Sequence, residues 1–235
     1  MDVSYDASVV YGTNWVVGAN SMTWSHTVGA GTNTCLVVEI GTYDTTSGDQ
    51  CTGVTFNGEA MTKIAGVDGT AEGAKQYTSI WVKMSPAAGA HNVVASFSGT
   101  IDYMFAFSKS YAGVSQTVDA FATNSGSSTT PSVSVTTVAD NCWVVGMTWS
   151  RASAPGASTN TTNRVTAGGI NGASSDTNAD QTPAGAHALN WTTNNGAWWA
   201  VAVSLAPYIA PPVASTIYLK GRTRNRAIFT GVSIG

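Results

Sequence analysis

Apolar residues in this chain recur at every second position, and helical spacing is almost nowhere sustained. Met22, Trp24, His26 and Val28 alternate with Thr23, Ser25 and Thr27, and Ile80, Val82 and Met84 repeat the pattern. Successive side chains of an extended strand point to opposite faces, so each run predicts a strand with one face for a core and one for solvent. The run Val54-Thr55-Phe56-Asn57-Gly58-Glu59-Ala60-Met61-Thr62 predicts a hairpin, because Asn-Gly readily supplies the two positive φ angles of a type I′ turn. Gly, Asn, Ser, Thr and Pro punctuate about a dozen such strands. Two polar stretches, Ala122 to Pro131 and Ala152 to Asn163, read as exposed loops.

A weak internal duplication organises the pattern. Thr34-Cys35-Leu36-Val37-Val38-Glu39-Ile40 echoes Asn141-Cys142-Trp143-Val144-Val145-Gly146-Met147, and Pro86-Ala87-Ala88-Gly89-Ala90-His91 echoes Pro183-Ala184-Gly185-Ala186-His187. The first pair are continuous apolar runs of the kind expected in a central sandwich strand. Each Pro-Gly turn leads into a strand, a polar turn and a second apolar strand, Ile101 to Tyr111 and Trp198 to Leu205. No linker divides the halves, so they are expected to fold onto one core as a single domain, residues 1–207. Pro207, Pro211 and Pro212 end the alternation, and residues 208–235 are too few to form a core of their own. This segment is expected to be an extended arm.

Charge sharpens that division. Residues 1–207 carry six Lys/Arg against thirteen Asp/Glu, a formal −7, while 208–235 carry Lys220, Arg222, Arg224 and Arg226 and no acid, a formal +4. A basic arm on an acidic body predicts docking, with these four residues making charge-assisted contacts and Ile217, Tyr218, Leu219, Ile228 and Phe229 supplying apolar burial. Only 10% of the chain is charged, against roughly 25% in ordinary soluble domains, so copies can pack closely without strong repulsion. The net charge of the body and the lack of interleaved aromatics in the arm argue against nucleic acid. Met1 to Asp6 has neither the basic nor the apolar region of a secretory signal, and no apolar run approaches the roughly 18 residues of a membrane span. Synthesis and retention in a cytoplasm are therefore expected.

Trp24-Ser25-His26-Thr27-Val28-Gly29-Ala30-Gly31-Thr32-Asn33, with Leu36-Val37-Val38, Val54 to Gly58, Met61-Thr62, Trp81 and Pro86 to His91, resembles a known family. It is similar to the jelly-roll-type β-sandwich modules of bacteriophage virion proteins and of some bacterial surface proteins. The resemblance covers roughly residues 20–206 and rests on turns and core strands. It implies an all-β, antiparallel, jelly-roll-like sandwich, in which the duplication places two pseudo-repeated halves; the extended basic C-terminal arm lies outside the matched pattern. It also implies a structural or adhesive module, and the lack of a signal peptide turns the expectation to a virion component assembled in the host cytoplasm: a capsid decoration or cement subunit that binds the major capsid protein and sister copies, as a homotrimer. The alternative is a carbohydrate-binding or host-adhesion module of a tail fibre or spike.

No catalytic residue, cofactor or metal is predicted. Cys35, Cys51 and Cys142 form an odd set without CxxC spacing and read as buried small hydrophobes. His91 and His187 occupy matching places after the two Pro-Gly turns, which predicts a repeated structural role. Glu39, Glu59 and Glu72 are the residues long enough to flank a sugar for hydrolysis, but no spacing selects a pair. Asp44, Asp49 and Asp68 lack the ordered spacing of a calcium loop. Gly69 to Lys75 and Gly231 to Gly235 resemble a phosphate loop and a nucleophile elbow only superficially, since neither opens a helix. Trp24, Trp81, Trp143 and Trp149 fall in apolar alternation and are assigned to the core. The adjacent Trp198 and Trp199 must point to opposite faces of a strand, which makes the pair the candidate for an exposed glycan platform.

Overall fold

A computed structural model describes residues 1–71 and 74–211, and the side chains of all of these except 13–15, 70, 71 and 74. The first half comprises β1 (Ser4–Val28), β2 (Cys35–Asp44), β3 (Cys51–Phe56), β4 (Glu59–Ala60), β5 (Thr62–Ala71), β6 (Ala74–Met84) and β7 (Gly89–Ala112). The second comprises β8 (Ala120–Ser128), β9 (Ser132–Thr136), β10 (Trp143–Ser150), β11 (Gly156–Ala157), β12 (Thr162–Ala167), β13 (Gly172–Asp176), β14 (Ala186–Thr192) and β15 (Gly196–Leu205). The one helical element among the described residues is a 3-10 turn at Gly168–Ile170. The protein is all-β, and the pairings between its strands are antiparallel.

The duplication seen in the sequence extends to strand order. The first half runs β5-β6-β2-β7-β1 in space and the second runs β12-β13-β10-β15-β8. β3 pairs with the opening residues of β7 as β11 pairs with β14. β1 returns along those same residues of β7, as β9 returns along β14. Two strands that are continuous in the first half, β1 and β7, are thus each divided in the second, into β8 with β9 and β14 with β15. In the first half the bend is taken up within the ladder instead, where register shifts fall between Tyr11 and Val16 and between Ala19 and Ser21. β7 thereby pairs β3 through Val93 to Phe97 and β2 through Tyr103 to Tyr111, and its sheet folds over on itself.

The local chemistry follows the alternation. Met22, Trp24, His26 and Val28 are buried while Ser21, Thr23, Ser25 and Thr27 are exposed. Asn57 and Gly58 both adopt positive φ, 51° and 77°, and join Phe56 directly to Glu59, as the type I′ reading requires. The segment from Ala122, read as a loop, is corrected by the structure: residues to Ser128 belong to strand β8 on the edge of its sheet. Its small residues are what the neighbouring strand demands, because a Cβ on Gly126 would lie 2.9 Å from the Trp198 ring.

The apolar side chains divide into three clusters where one core was expected. Leu36, Val38 and Ile40 of β2 face Val54, Phe56, Val93 and Ala95 inside the folded first sheet. Val144 of β10 faces Val133, Val135, Leu189 and Trp191 inside the second half. Between the halves, Cys35 and Val37 meet Val145, Met147, Val201 and Val203. β2 and β10 are therefore buried on both faces, which accounts for their unbroken apolar runs. The halves do share a central cluster, and each adds one of its own because alternate residues of one strand serve different clusters, which sequence pattern cannot show since it does not say how many layers lie beyond each face.

A largely buried polar cluster crosses the central seam. Lys109 of β7 places Nζ 2.9 Å from Glu39 Oε1 and donates to the carbonyls of Gly146 (3.1 Å) and Ser175 (2.7 Å) in the other half. Ser174 Oγ donates to Glu39 Oε2 at 2.5 Å, and Tyr111 donates to Asp176 Oδ2 at 2.8 Å. Arg164 donates from Nε to Asp176 at 2.7 Å, with its guanidinium 4.0 Å over the Tyr5 ring. Burial pushes the Glu39 carboxyl up and the Lys109 ammonium down, each opposed by attraction to the other. Two Nζ hydrogens go to carbonyls, while Glu39 Oε1 lies at ion-pair distance without an aligned hydrogen bond. Lys109→Met, which strands Glu39 in the seam, is expected to cost about 3–5 kcal/mol in urea denaturation, and pairing it with Glu39→Gln should recover much of that loss. A single-variant cost within experimental scatter would show that the seam does not rely on the cluster.

Candidate functional site

The predicted site residues meet different fates. Ile217, Tyr218, Leu219, Lys220, Arg222, Arg224, Arg226, Ile228 and Phe229 lie outside the described residues. Trp198 and Trp199 do point to opposite faces, but both are buried, at 6% and 3% exposure, and offer no open ring to a sugar. Trp198 donates to Ser128 Oγ at 3.0 Å. Trp199 stacks on Trp149 with centroids 4.9 Å apart and lies so close to Gly69 that a Cβ there would overlap the indole. The platform expectation at this pair is therefore corrected: sheets cover both faces of β15, so neither side of the strand is a surface.

Other candidates are held in structural contacts. Glu39 belongs to the seam cluster, whereas Glu59 forms a surface pair with Lys83 at 2.7 Å. Asp44 accepts from Thr45 within its own turn, Asp49 accepts from Cys51 N and pairs with Lys63, and Asp68 accepts from Gly69 N. Among the described residues no three His, Cys, Asp or Glu side chains gather in a metal-binding group. The three cysteines are buried and free, and burial pushes Cys35 well above the usual thiol range. His91 and His187 repeat one contact, with Nε2 3.1 Å from the Ala88 carbonyl in the first and 2.8 Å from the Pro183 carbonyl in the second. The repeated structural role read from their spacing is what the geometry delivers.

His26 has a surrounding that its place in an apolar alternation did not reveal. Its ring is buried with Nδ1 2.9 Å from Ser108 Oγ and Nε2 3.0 Å from Ser110 Oγ. Ser110 donates onward to Asp6 Oδ2 at 2.7 Å, and Trp24 donates to Ser108 at 3.0 Å. The order His–Ser–Asp differs from a nucleophilic triad, where the carboxylate orients the imidazole and the hydroxyl is open to substrate. Here the acid holds a serine, and both serines are buried. Burial lowers the His26 pKa to about 4, partly countered by Asp6.

An open cleft lies at one end of the seam. It has a volume of about 280 Å³ and is lined by Tyr43 and Tyr103 from the first half and by Trp149, Ser150, Arg151 and Asn171 from the second. Tyr43 and Tyr103 meet edge to face with centroids 5.5 Å apart, and the Arg151 guanidinium lies 5.2 Å from the Tyr43 centroid. Trp149, buried and stacked on Trp199, forms the floor. Asn171 is fixed in the left-handed region at φ 51°, and its carbonyl accepts from Ser150 N at 3.0 Å. None of these six was singled out as a site residue from the sequence. They come from four separate segments, and only the pairing of Tyr43 with Tyr103 and the seam bring them together.

Comparison with protein-family models, curated proteins and solved structures finds no match to this chain.

His26 supplies a testable pH dependence. The folded state holds the ring neutral down to about pH 4, whereas an unfolded histidine takes up its proton near 6.5. Between these values the unfolded chain binds more protons, so the contribution is complete above about pH 6.5 and is lost as pH falls toward 4, by about 3 kcal/mol. His26→Gln should flatten this part of the urea-denaturation stability profile relative to the parent chain. Parallel profiles for the two proteins would disprove the assignment.

Proposed function

We propose that this chain is a bacteriophage virion structural protein, a jelly-roll-type β-sandwich subunit that decorates or cements a capsid. The polarity of the body is the observation that supports the reading. β15 ends at Leu205 beside Trp143, Pro207 bridges Val114, and Tyr208 N donates to the Gly113 carbonyl at 2.7 Å. The segment continuing into the basic residues is thus held at the Trp143 end of β10. The aromatic cleft lies at the Trp149 end, about 20 Å along the strand at an extended rise.

A subunit built this way can grip a shell at one end and turn the other outward. The +4 arm would engage acidic and apolar surface of the major capsid protein or of a sister copy in a trimer, and the weakly charged body would tolerate close neighbours. The cleft favours a second reading, an adhesion module of a tail fibre or spike, with its contact surface moved from Trp198 and Trp199 to the seam end. Quantitative mass spectrometry of purified particles separates the two. The decoration reading expects copy numbers comparable with the major shell protein; a few copies per particle would support the adhesion reading, and absence would remove both. Truncation after Pro211 is expected to leave the urea transition of the body intact while abolishing incorporation into particles, and undiminished incorporation would overturn the arm's role.

A further inference from the structure

We infer that a groove along the open edges of the two sheets receives the arm, residues 212–235, of a second copy of this chain. β5 ends the first sheet and β8 the second, and the two strands lie side by side. Each pairs on one side only among the described residues, so each leaves a row of backbone donors and acceptors that an added strand can take up. Beside these edges the surface is hollowed in two adjoining parts, of about 530 Å³ and 430 Å³, that share Ile64 and Val118. Phe121, 59% exposed, lines the larger part, and Val82 and Met84 line the smaller.

The arm has the pattern of a strand suited to such a place. Ile217 and Leu219 fall on one face of an extended chain, as do Ile228, Thr230, Val232 and Ile234. Charge agrees. Lys63 and Lys83 on the groove are each paired with a carboxylate, Asp49 and Glu59. Asp119 on its wall accepts from Val138 N and Ala139 N, and neither it nor the neighbouring Asp140 forms an ion pair among the described residues. Lys220 and the three arginines that follow it can supply the missing cations.

The course of the chain selects a neighbour's arm over its own. Ser204, Ala206 and Tyr208 are bonded in turn to Asp119, Ser115 and Gly113, so the chain leaves by running away from its own groove. Met1, just before β1 at the opposite edge of the first sheet, donates from its amino group to the Tyr208 carbonyl, and residues 209–211 are exposed. Pro211 and Pro212 then disfavour an immediate return. Extended, the segment after Pro211 would span about 80 Å, ample to reach another copy. Such an exchange builds on the sister-copy contact proposed above, yet it takes place in solution, so absence of the chain from particles would leave it standing.

The test is sedimentation velocity of the full chain, which is expected to run as an oligomer at micromolar concentration. Phe121→Glu in the groove and Ile228→Asp in the arm should each weaken that association about tenfold or more, while Val17→Glu, at another exposed apolar position, leaves it unchanged. The arm variant leaves the sequence of the body untouched, so it decides even where Phe121→Glu disturbs the urea transition. Carbodiimide cross-linking of mixed natural and heavy-nitrogen-labelled chains then locates the arm. Lys220 is expected to join Asp119 or Asp140 with one isotope on each side of the link. A monomer throughout, or association that the arm variant does not weaken, overturns the exchange. Links of Lys220 formed only within one copy, or only to other carboxylates, overturn it as well.

Discussion

Lys109 is the constraint around which the two halves are assembled. A lysine in an apolar seam is costly unless polar partners surround its amino group, and these come from three strands: Glu39 of β2 at ion-pair distance, and the carbonyls of Gly146 of β10 and Ser175 of β13 as hydrogen-bond acceptors. Apolar side chains between sheets tolerate many relative placements, since hydrophobic contact has no direction. The polar cluster tolerates few. Moving one half by a single residue along its strands would turn Ser174 away from Glu39 and Asp176 away from Tyr111, leaving buried groups unpaired. Specification of register, more than net stabilisation, is what such a cluster contributes.

The same seam builds the cleft. Tyr43 and Tyr103 belong to strands that carry Glu39 and Lys109, while Trp149 and Ser150 belong to the strand that carries Gly146. The ring that braces the rim and the ring that forms the floor therefore come from opposite halves and meet only in the correct register. His26 shows the contrasting solution to burial. Its neighbours are neutral hydroxyls, with the Asp6 carboxylate one serine away, so it remains a neutral ring where Lys109 is given a counter-charge. Burial lowers both groups, opposed at Lys109 by an adjacent carboxylate and at His26 only by one beyond a serine.

Much of the fold was legible because it depends on period and turn chemistry. Alternation located the buried face of Met22 to Val28, the Asn57-Gly58 pair located a tight hairpin, and two echoing apolar runs located the doubly covered strands β2 and β10. Ala122 to Ser128 was misread because an edge strand opposite Trp198 needs small residues, and such a sequence looks like a loop. The exposed-Trp expectation failed for a related reason: alternation assigns side chains to faces, but whether a face meets solvent depends on sheets distant in sequence. The cleft was illegible for the same cause. Tyr43, Tyr103, Arg151 and Asn171 are polar or aromatic residues near strand ends, unremarkable until antiparallel pairing and the seam gather them.

Position along the strands also decides how the two ends of the body can communicate. Glu39 and Gly146 lie near the middle of β2 and β10, between the end at Pro207 and the end at the cleft. Coupling of the ends would require an element with two stable arrangements, and the available motion is a slide or tilt of one half against the other. Either would pass through a state in which Lys109 loses its carbonyl acceptors in the other half. The cluster therefore opposes relative motion of the halves. Under the function proposed above, attachment at the Pro207 end would not depend on the state of the other end, and such a subunit would gain strength on a surface through the number of copies displayed, not through a conformational signal.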